Sequence, residues 1–239
     1  MKTLMLNQKS GLKYDDIVTY VSELKLYQNN FVVFPSSLYI RDFIDANYFV
    51  GIQNIAEKDI PNQTGEITAE QALSLDVKYV IIGHSERRIN NKEDSDVLIN
   101  KFNEAVKNNM KIVYCVGESL VEYRLNETNS VIFNELDSVL SKIDKTKIKE
   151  LYIAYEPIWA IGSGEIPTNL EIENVFRIIN SYLDEHNIEA KILYGGSVKP
   201  ENIEELCQVE GIDGFLVGGA SNDYKKVKKM CEIINNTTK

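Results

Sequence analysis

The sequence predicts a (β/α)8 barrel of the α/β class, built as a single domain over residues 1–239. Three observations predict it. About eight short apolar runs recur along the chain, several without polar alternation, as expected where both faces of a parallel sheet are covered. The segments between them place apolar residues at helical spacing. Finally, 239 residues, 44% of them hydrophobic and with no break in composition, can bury one large core, and single α/β barrels commonly have this size. Strand then helix, repeated about eight times, fits a closed barrel better than an open doubly wound sheet.

In chain order, the first strand is expected at 3–6 and a helix at 15–27, with Ile17, Val21 and Leu24 on one face. Strands follow at 31–34, 48–52 and 79–82, and a helix at 97–106 aligns Phe102 with Ala105. The fifth strand, 111–116, precedes a helix at 131–140. The sixth, 151–154, ends near Glu156-Pro157, where proline fixes its own φ and biases Glu156 away from the α region. A helix at 172–183, strands at 191–194 and 214–217, and a helix at 227–234 complete the pattern. No linker, repeat or low-complexity segment interrupts it.

The formal net charge of -10 and pI near 4.9 disfavour nucleic acid or an anionic membrane as partner, since both would be repelled. The N-terminal apolar stretch is too short for a signal peptide's central region, and no later run is long enough to span a bilayer, so the expected location is the cytoplasm. Cys115, Cys207 and Cys231 are odd in number and lack CxxC spacing or a histidine cluster. That pattern suggests neither a disulfide framework nor a zinc site, and all three are expected reduced and mostly buried.

Barrel chemistry is placed at the C-terminal strand ends. After the first strand come Asn7 and Lys9, an amide and a cation able to meet an anion. After the fourth comes GHSERR, with His84 at the strand end beside Ser85, Glu86 and Arg87, a suitable place for proton chemistry. His186 lies instead in the last turn of an expected helix, where a capping role is expected. After the sixth strand, Glu156 opens the run Pro157, Ile158, Trp159, Ala160, Ile161, Gly162, Ser163 and Gly164. An apolar loop ending in glycines suggests a lid that excludes water and offers backbone N–H groups to an anion. After the seventh and eighth strands come YGGS (Tyr194 to Ser197) and LVGGAS (Leu216 to Ser221). Glycine pairs at these two ends suit a phosphate, because they let backbone amides approach it closely. GxxxxGK[ST] and a strand-linked GxGxxG are absent, so no nucleotide is needed.

Taken together, Asn7 and Lys9, IIGHSERR, AYEPIWAIGSG, YGGS and GFLVGGAS closely resemble the triosephosphate isomerase family. Gln53-Asn54, the TGE of Thr64 to Glu66, and the CVGES of Cys115 to Ser119 extend the resemblance over essentially the whole chain. It implies interconversion of dihydroxyacetone phosphate and glyceraldehyde 3-phosphate without cofactor or metal, usually by a homodimer. It further implies that Glu156 is the base and that neutral His84 hydrogen-bonds the substrate oxygens. Asn7 and Lys9 then add polar and positive contacts, and Glu86 is a supporting carboxylate. Gly162, Ser197, Gly218 and Gly219 give backbone amides to the phosphate, and Tyr194 and Ser197 hold the closed lid.

The sequence departs from the family pattern at a few places. Gln8 stands where an aromatic is frequent, and Ser10-Gly11 replace a common Met-Asn pair. Ser163 replaces a frequent threonine, while Pro167 and Thr168 fill the far hinge as a rigid residue and an expected helix cap. The loop at 59–63 (DIPNQ) also differs from the usual pattern. In the family that loop inserts into the partner subunit. A different phosphate-binding barrel enzyme and a non-catalytic barrel are the alternatives. The first has no evident need for Glu156, His84 and Lys9 together, and the second tolerates the loss of one of them, whereas none is lost.

Overall fold

The structure, a computed structural model, describes residues 2–60, 62–162 and 165–237. Eight parallel strands close on themselves in sequence order: β1 (Thr3–Asn7), β2 (Val32–Phe34), β3 (Phe49–Ile52), β4 (Tyr79–Ile82), β5 (Lys111–Val116), β6 (Glu150–Tyr155), β7 (Lys191–Tyr194) and β8 (Gly214–Val217). β8 returns to β1 with Met5 opposite Leu216, so the ring has no open edge. The expected (β/α)8 barrel is the observed architecture.

Ten α-helices surround the ring among the described residues. The long ones match the apolar spacing: α1 (Tyr14–Glu23), α5 (Ser95–Lys107), α7 (Thr128–Leu140), α8 (Asn169–Glu185) and α10 (Tyr224–Thr237). Five short ones carry too few turns to show a period: α2 (Ile40–Asp45), α3 (Ala69–Ser74), α4 (Ser85–Asn90), α6 (Leu120–Arg124) and α9 (Ile203–Leu206). The first helix stops short of the expected 15–27. Its last carbonyls are taken up in a tighter 3₁₀ turn at Lys25–Tyr27, where Tyr27 N–H donates to Leu24 O at 2.8 Å. None of the helices is long and apolar enough to cross a membrane.

Strand alternation sorts the core into two layers. Met5, Phe34, Val113, Cys115, Leu193 and Leu216 fill the barrel interior. Their neighbours Leu6, Val33, Ile112, Tyr114 and Tyr194 face outward onto the helices. Each fully buried Leu, Ile or Phe contributes roughly 1.5–3 kcal/mol, against about 0–1 kcal/mol for an exposed ion pair, so these layers hold the barrel. The N-terminal mouth is closed by polar groups instead: Glu150 accepts from Lys111 (2.7 Å), Lys191 (2.8 Å) and the Tyr152 hydroxyl (2.5 Å). The opposite mouth carries the loops described next.

Candidate active site

Gly83 follows β4 and His84 caps the N-terminus of α4, its Nδ1 accepting the Glu86 backbone N–H at 3.3 Å. That bond assigns the ring proton of a neutral imidazole to Nε2. Nε2 lies 3.5 Å from Glu156 Oε1, with both residues buried. Glu156 leaves β6 under backbone control, its N–H donating to Val116 O at 2.8 Å. Two glycines make room for it. A Cβ at position 117 would lie 1.9 Å from the Glu156 carbonyl oxygen, and one at position 195 would lie 2.6 Å from Glu156 Cγ. Glu156 Oε2 is buried without a hydrogen-bond partner among the described residues, so one lone-pair face of the carboxylate is left for chemistry.

On the other side of the mouth, Asn7 ends β1 and its Oδ1 accepts the Lys9 backbone N–H at 3.2 Å. Lys9 has φ +52, uncommon for a residue with a side chain. Gln53 holds that turn by donating to Lys9 O (2.8 Å) and Phe34 O (2.9 Å). The Lys9 ammonium reaches Glu86 Oε1 at 2.5 Å and lies 3.9 Å from where a Cβ on Gly218 would sit. One side chain therefore joins three strand ends. Asn7, Lys9, Gln53, Glu66, His84 and Glu86 line a cavity of about 470 Å³.

The loop after β8 is tied to β1, since Ser221 Oγ donates to Asn7 O at 3.0 Å. Ser197, after β7, is buried, and its carbonyl accepts the Asn202 amide at 2.8 Å. Gly162 and Gly219 face open space, with no atom within 4 Å of a Cβ built on either. In the expected lid, Ile158–Ala160 forms a 3₁₀ turn, while Ser163 and Gly164 lie outside the described residues. Trp159 stacks on Tyr123 (4.4 Å) and donates Nε1–H to Glu118 Oε1 at 2.8 Å. Glu118 also accepts the Tyr155 hydroxyl at 3.2 Å. Burial raises its carboxyl above the ordinary range, and these hydrogen bonds pull it partly back. At the far hinge Thr168 caps α8 in a reciprocal box with Glu171, which also accepts the Tyr123 hydroxyl at 2.7 Å. The Tyr194 hydroxyl is buried without a partner among the described residues.

Other residues fall where the sequence places them. His186 is the C-cap of α8. All three cysteines are free and buried, and burial, followed by the nearby Glu156, pushes the Cys115 thiol well up. Among the described residues no group of three or more His, Cys, Asp or Glu is placed to hold a metal ion. Gln53 and Glu118 stand out in the sequence only as members of motifs. Tyr123 and Glu135 carry no local signal, because a polar residue within a helix reads as surface until the fold shows what it meets.

The family model described as triosephosphate isomerase matches residues 2–236. The triosephosphate isomerase of Mycoplasmopsis pulmonis is 37% identical over 238 residues, covering 92% of this chain and 94% of the relative. That of Mesomycoplasma hyorhinis is 45% identical over 173 residues, covering 72% and 68%. The Emericella nidulans enzyme is 36% identical over 198 residues, covering 80% of each. With the match spanning nearly every strand end described above, the chain belongs to the triosephosphate isomerase family.

Proposed function

We propose that the family's reaction, interconversion of dihydroxyacetone phosphate and glyceraldehyde 3-phosphate, runs here with Glu156 as the base and neutral His84 as its electrophilic partner. Glu156 removes a proton from the carbon next to the carbonyl, leaving an enediolate, and returns the proton to the neighbouring carbon. Negative charge develops on the substrate oxygens, where the Nε2–H of His84 and the amide of Asn7 donate hydrogen bonds and Lys9 supplies positive charge. Triosephosphate isomerases are themselves a standard illustration of a carboxylate base set against a neutral imidazole. Glu86 supports Lys9 through their ion pair. Gly162, Ser197, Gly218 and Gly219 present backbone amides to the phosphate, and the lid from Pro157 to Gly164 keeps water from the enediolate. Tyr194 and Ser197 hold that lid when closed. The observation that carries this reading is the 3.5 Å approach of His84 Nε2 to Glu156 Oε1.

The same reading takes the chain to be a single catalytic domain acting in the cytoplasm as a homodimer. Support for the dimer comes from the cavity beside Lys9, whose lining residues Ser37 and Asn90 are flanked by Leu38 and Ile89, 81% and 53% exposed. Exposed apolar residues at a cavity rim suit a partner's loop. A coupled assay with glyceraldehyde 3-phosphate tests the activity, and Glu156→Asp tests the base. Withdrawing the carboxylate by about 1 Å lowers kcat on the order of 100-fold with little change in substrate binding. A variant with parental kcat, when product release is not limiting, removes Glu156 from the role.

A further inference from the structure

Behind the catalytic mouth, on the helix side of β4 and β5, lies an ionic group that contributes no atom to the proposed chemistry. Its centre is Glu135 on α7, whose side chain is 21% exposed. Glu135 Oε2 accepts the Gly117 backbone N–H at 2.8 Å. Its Oε1 faces Arg88 Nη1 at 3.5 Å. Arg88 in turn donates Nε–H to Gly83 O at 2.7 Å, and Nη2 donates to Cys115 O at 3.0 Å and to the Tyr114 hydroxyl at 3.2 Å. The Tyr114 hydroxyl donates back to the Glu135 carbonyl at 2.5 Å.

Three of these bonds, those to Gly83 O, Cys115 O and Gly117 N–H, end on backbone beside a proposed catalytic group. The Gly83 carbonyl belongs to the peptide that leads into His84. Cys115 immediately precedes Val116, whose carbonyl receives the Glu156 N–H. Gly117 packs so closely on the Glu156 carbonyl that no Cβ fits between them. The carboxylate of Glu135 is thus hydrogen-bonded to the Glu156 side of the site and linked to the His84 side by its ion pair with Arg88. Gly83, Arg88, Glu135 and Glu156 also line one small common cavity.

We propose that Glu135 is a positioning residue, a clamp that with Arg88 sets the separation of His84 and Glu156. This inference rests on the roles assigned to that pair. The test is Glu135→Gln, which keeps the volume and an acceptor for Gly117 but removes the charge facing Arg88. The expected result is a fall in kcat of about 10-fold with KM for glyceraldehyde 3-phosphate within about twofold, since small misplacements act on turnover more than on binding. A structural role alone lowers the melting temperature and leaves kcat per folded molecule at the parental value, and that outcome overturns the proposal. If Glu135→Gln does not fold, Tyr114→Phe removes only the hydroxyl shared by Arg88 and the Glu135 carbonyl. It is expected to lower kcat about threefold at unchanged KM, and a parental kcat again overturns the clamp. Glu156→Asp measured alongside separates the two failures. A slow Glu156→Asp beside a fast Glu135→Gln removes only the clamp, whereas a fast Glu156→Asp removes the base on which the clamp was argued.

Discussion

Lys9 is the residue at which backbone strain, charge and position coincide. Its positive φ costs on the order of 1 kcal/mol for a residue with a side chain. The surroundings over-determine it through Gln53 and Asn7, so the turn persists without help from the ammonium. The Lys9–Glu86 ion pair, with side chains 27% and 50% exposed, adds little stability. Lys9→Met is therefore expected to unfold within about 1 kcal/mol of the parent. Its kcat/KM for a triose phosphate dianion should fall on the order of 100-fold, because the charge proposed to meet the developing oxyanion is lost. The association rate of the variant should also depend less on ionic strength. Steady-state kinetics across a salt series check both, and unchanged kinetics would remove Lys9 from the electrostatic role.

At the scale of elements, the segments on either side of the proposed lid's glycines are tied by contacts that meet on one ring. Trp159 near its start stacks on Tyr123, whose hydroxyl reaches Glu171 in the first turn of α8. Glu171 and Thr168 satisfy each other's backbone N–H groups in a capping box. Replacing Thr168 with alanine removes a side-chain acceptor from the N-terminus of a 17-residue helix, and such a loss costs about 1 kcal/mol. Urea unfolding of Thr168→Ala should show a lowered midpoint with an unchanged slope. A variant as stable as the parent would mean that α8 is held by packing alone, through Ile172, Val175 and Phe176.

For the whole molecule, the N-terminal mouth makes barrel stability depend on pH. Burial tends to raise the Glu150 carboxyl, but the Lys111 and Lys191 ammonium groups and the Tyr152 hydroxyl outweigh it and hold the group down at about 2, against 4.5 for the free side chain. A depressed carboxyl contributes stability that is present above its unfolded value and lost as pH falls through the window from about 4.5 to 2. Glu118 and Glu135, raised chiefly by burial, act with the opposite sign, so the comparison with a single variant isolates Glu150. Glu150→Gln should be less stable than the parent at pH 7 and the gap should close by about pH 2, as read from thermal unfolding at a series of pH values. A gap independent of pH would mean the charge is not what matters there. Assembly is the other property at this scale. The loop at 59–63, of which Pro61 lies outside the described residues, is pinned by Asp59, which accepts from Ala69 N–H and the Asn108 amide, each at 2.9 Å. Deleting residues 60–63 should give a monomer with strongly reduced kcat if the loop supports a partner's Asn7 and Lys9. Sedimentation and assay of one preparation check this, and a shortened protein that remains an active dimer would refute it.

What the sequence by itself determined was whatever is encoded locally. Apolar runs with strand length gave β4, β5, β7 and β8 to the residue, because burial on both faces leaves no polar alternation to blur their ends. Proline after Glu156, glycine pairs after β7 and β8, and the histidine after β4 marked the mouth, since each carries its own local signal: a fixed φ, room for amides to approach an anion, and a ring suited to proton chemistry. The short helices α2, α3, α4, α6 and α9 were not legible, as each spans too few turns to display a period and depends on the barrel for its existence. Likewise, nothing local in α6 or α7 distinguishes Tyr123 and Glu135 from solvent-facing residues. Only closure of the barrel brought α7 against the ends of β4 and β5, set Tyr123 under Trp159, and placed Glu156 and His84, 72 positions apart in the chain, 3.5 Å from each other. A residue's type and immediate neighbours fix which conformations and chemistries are open to it, while the partner that selects among them arrives from a distant part of the chain.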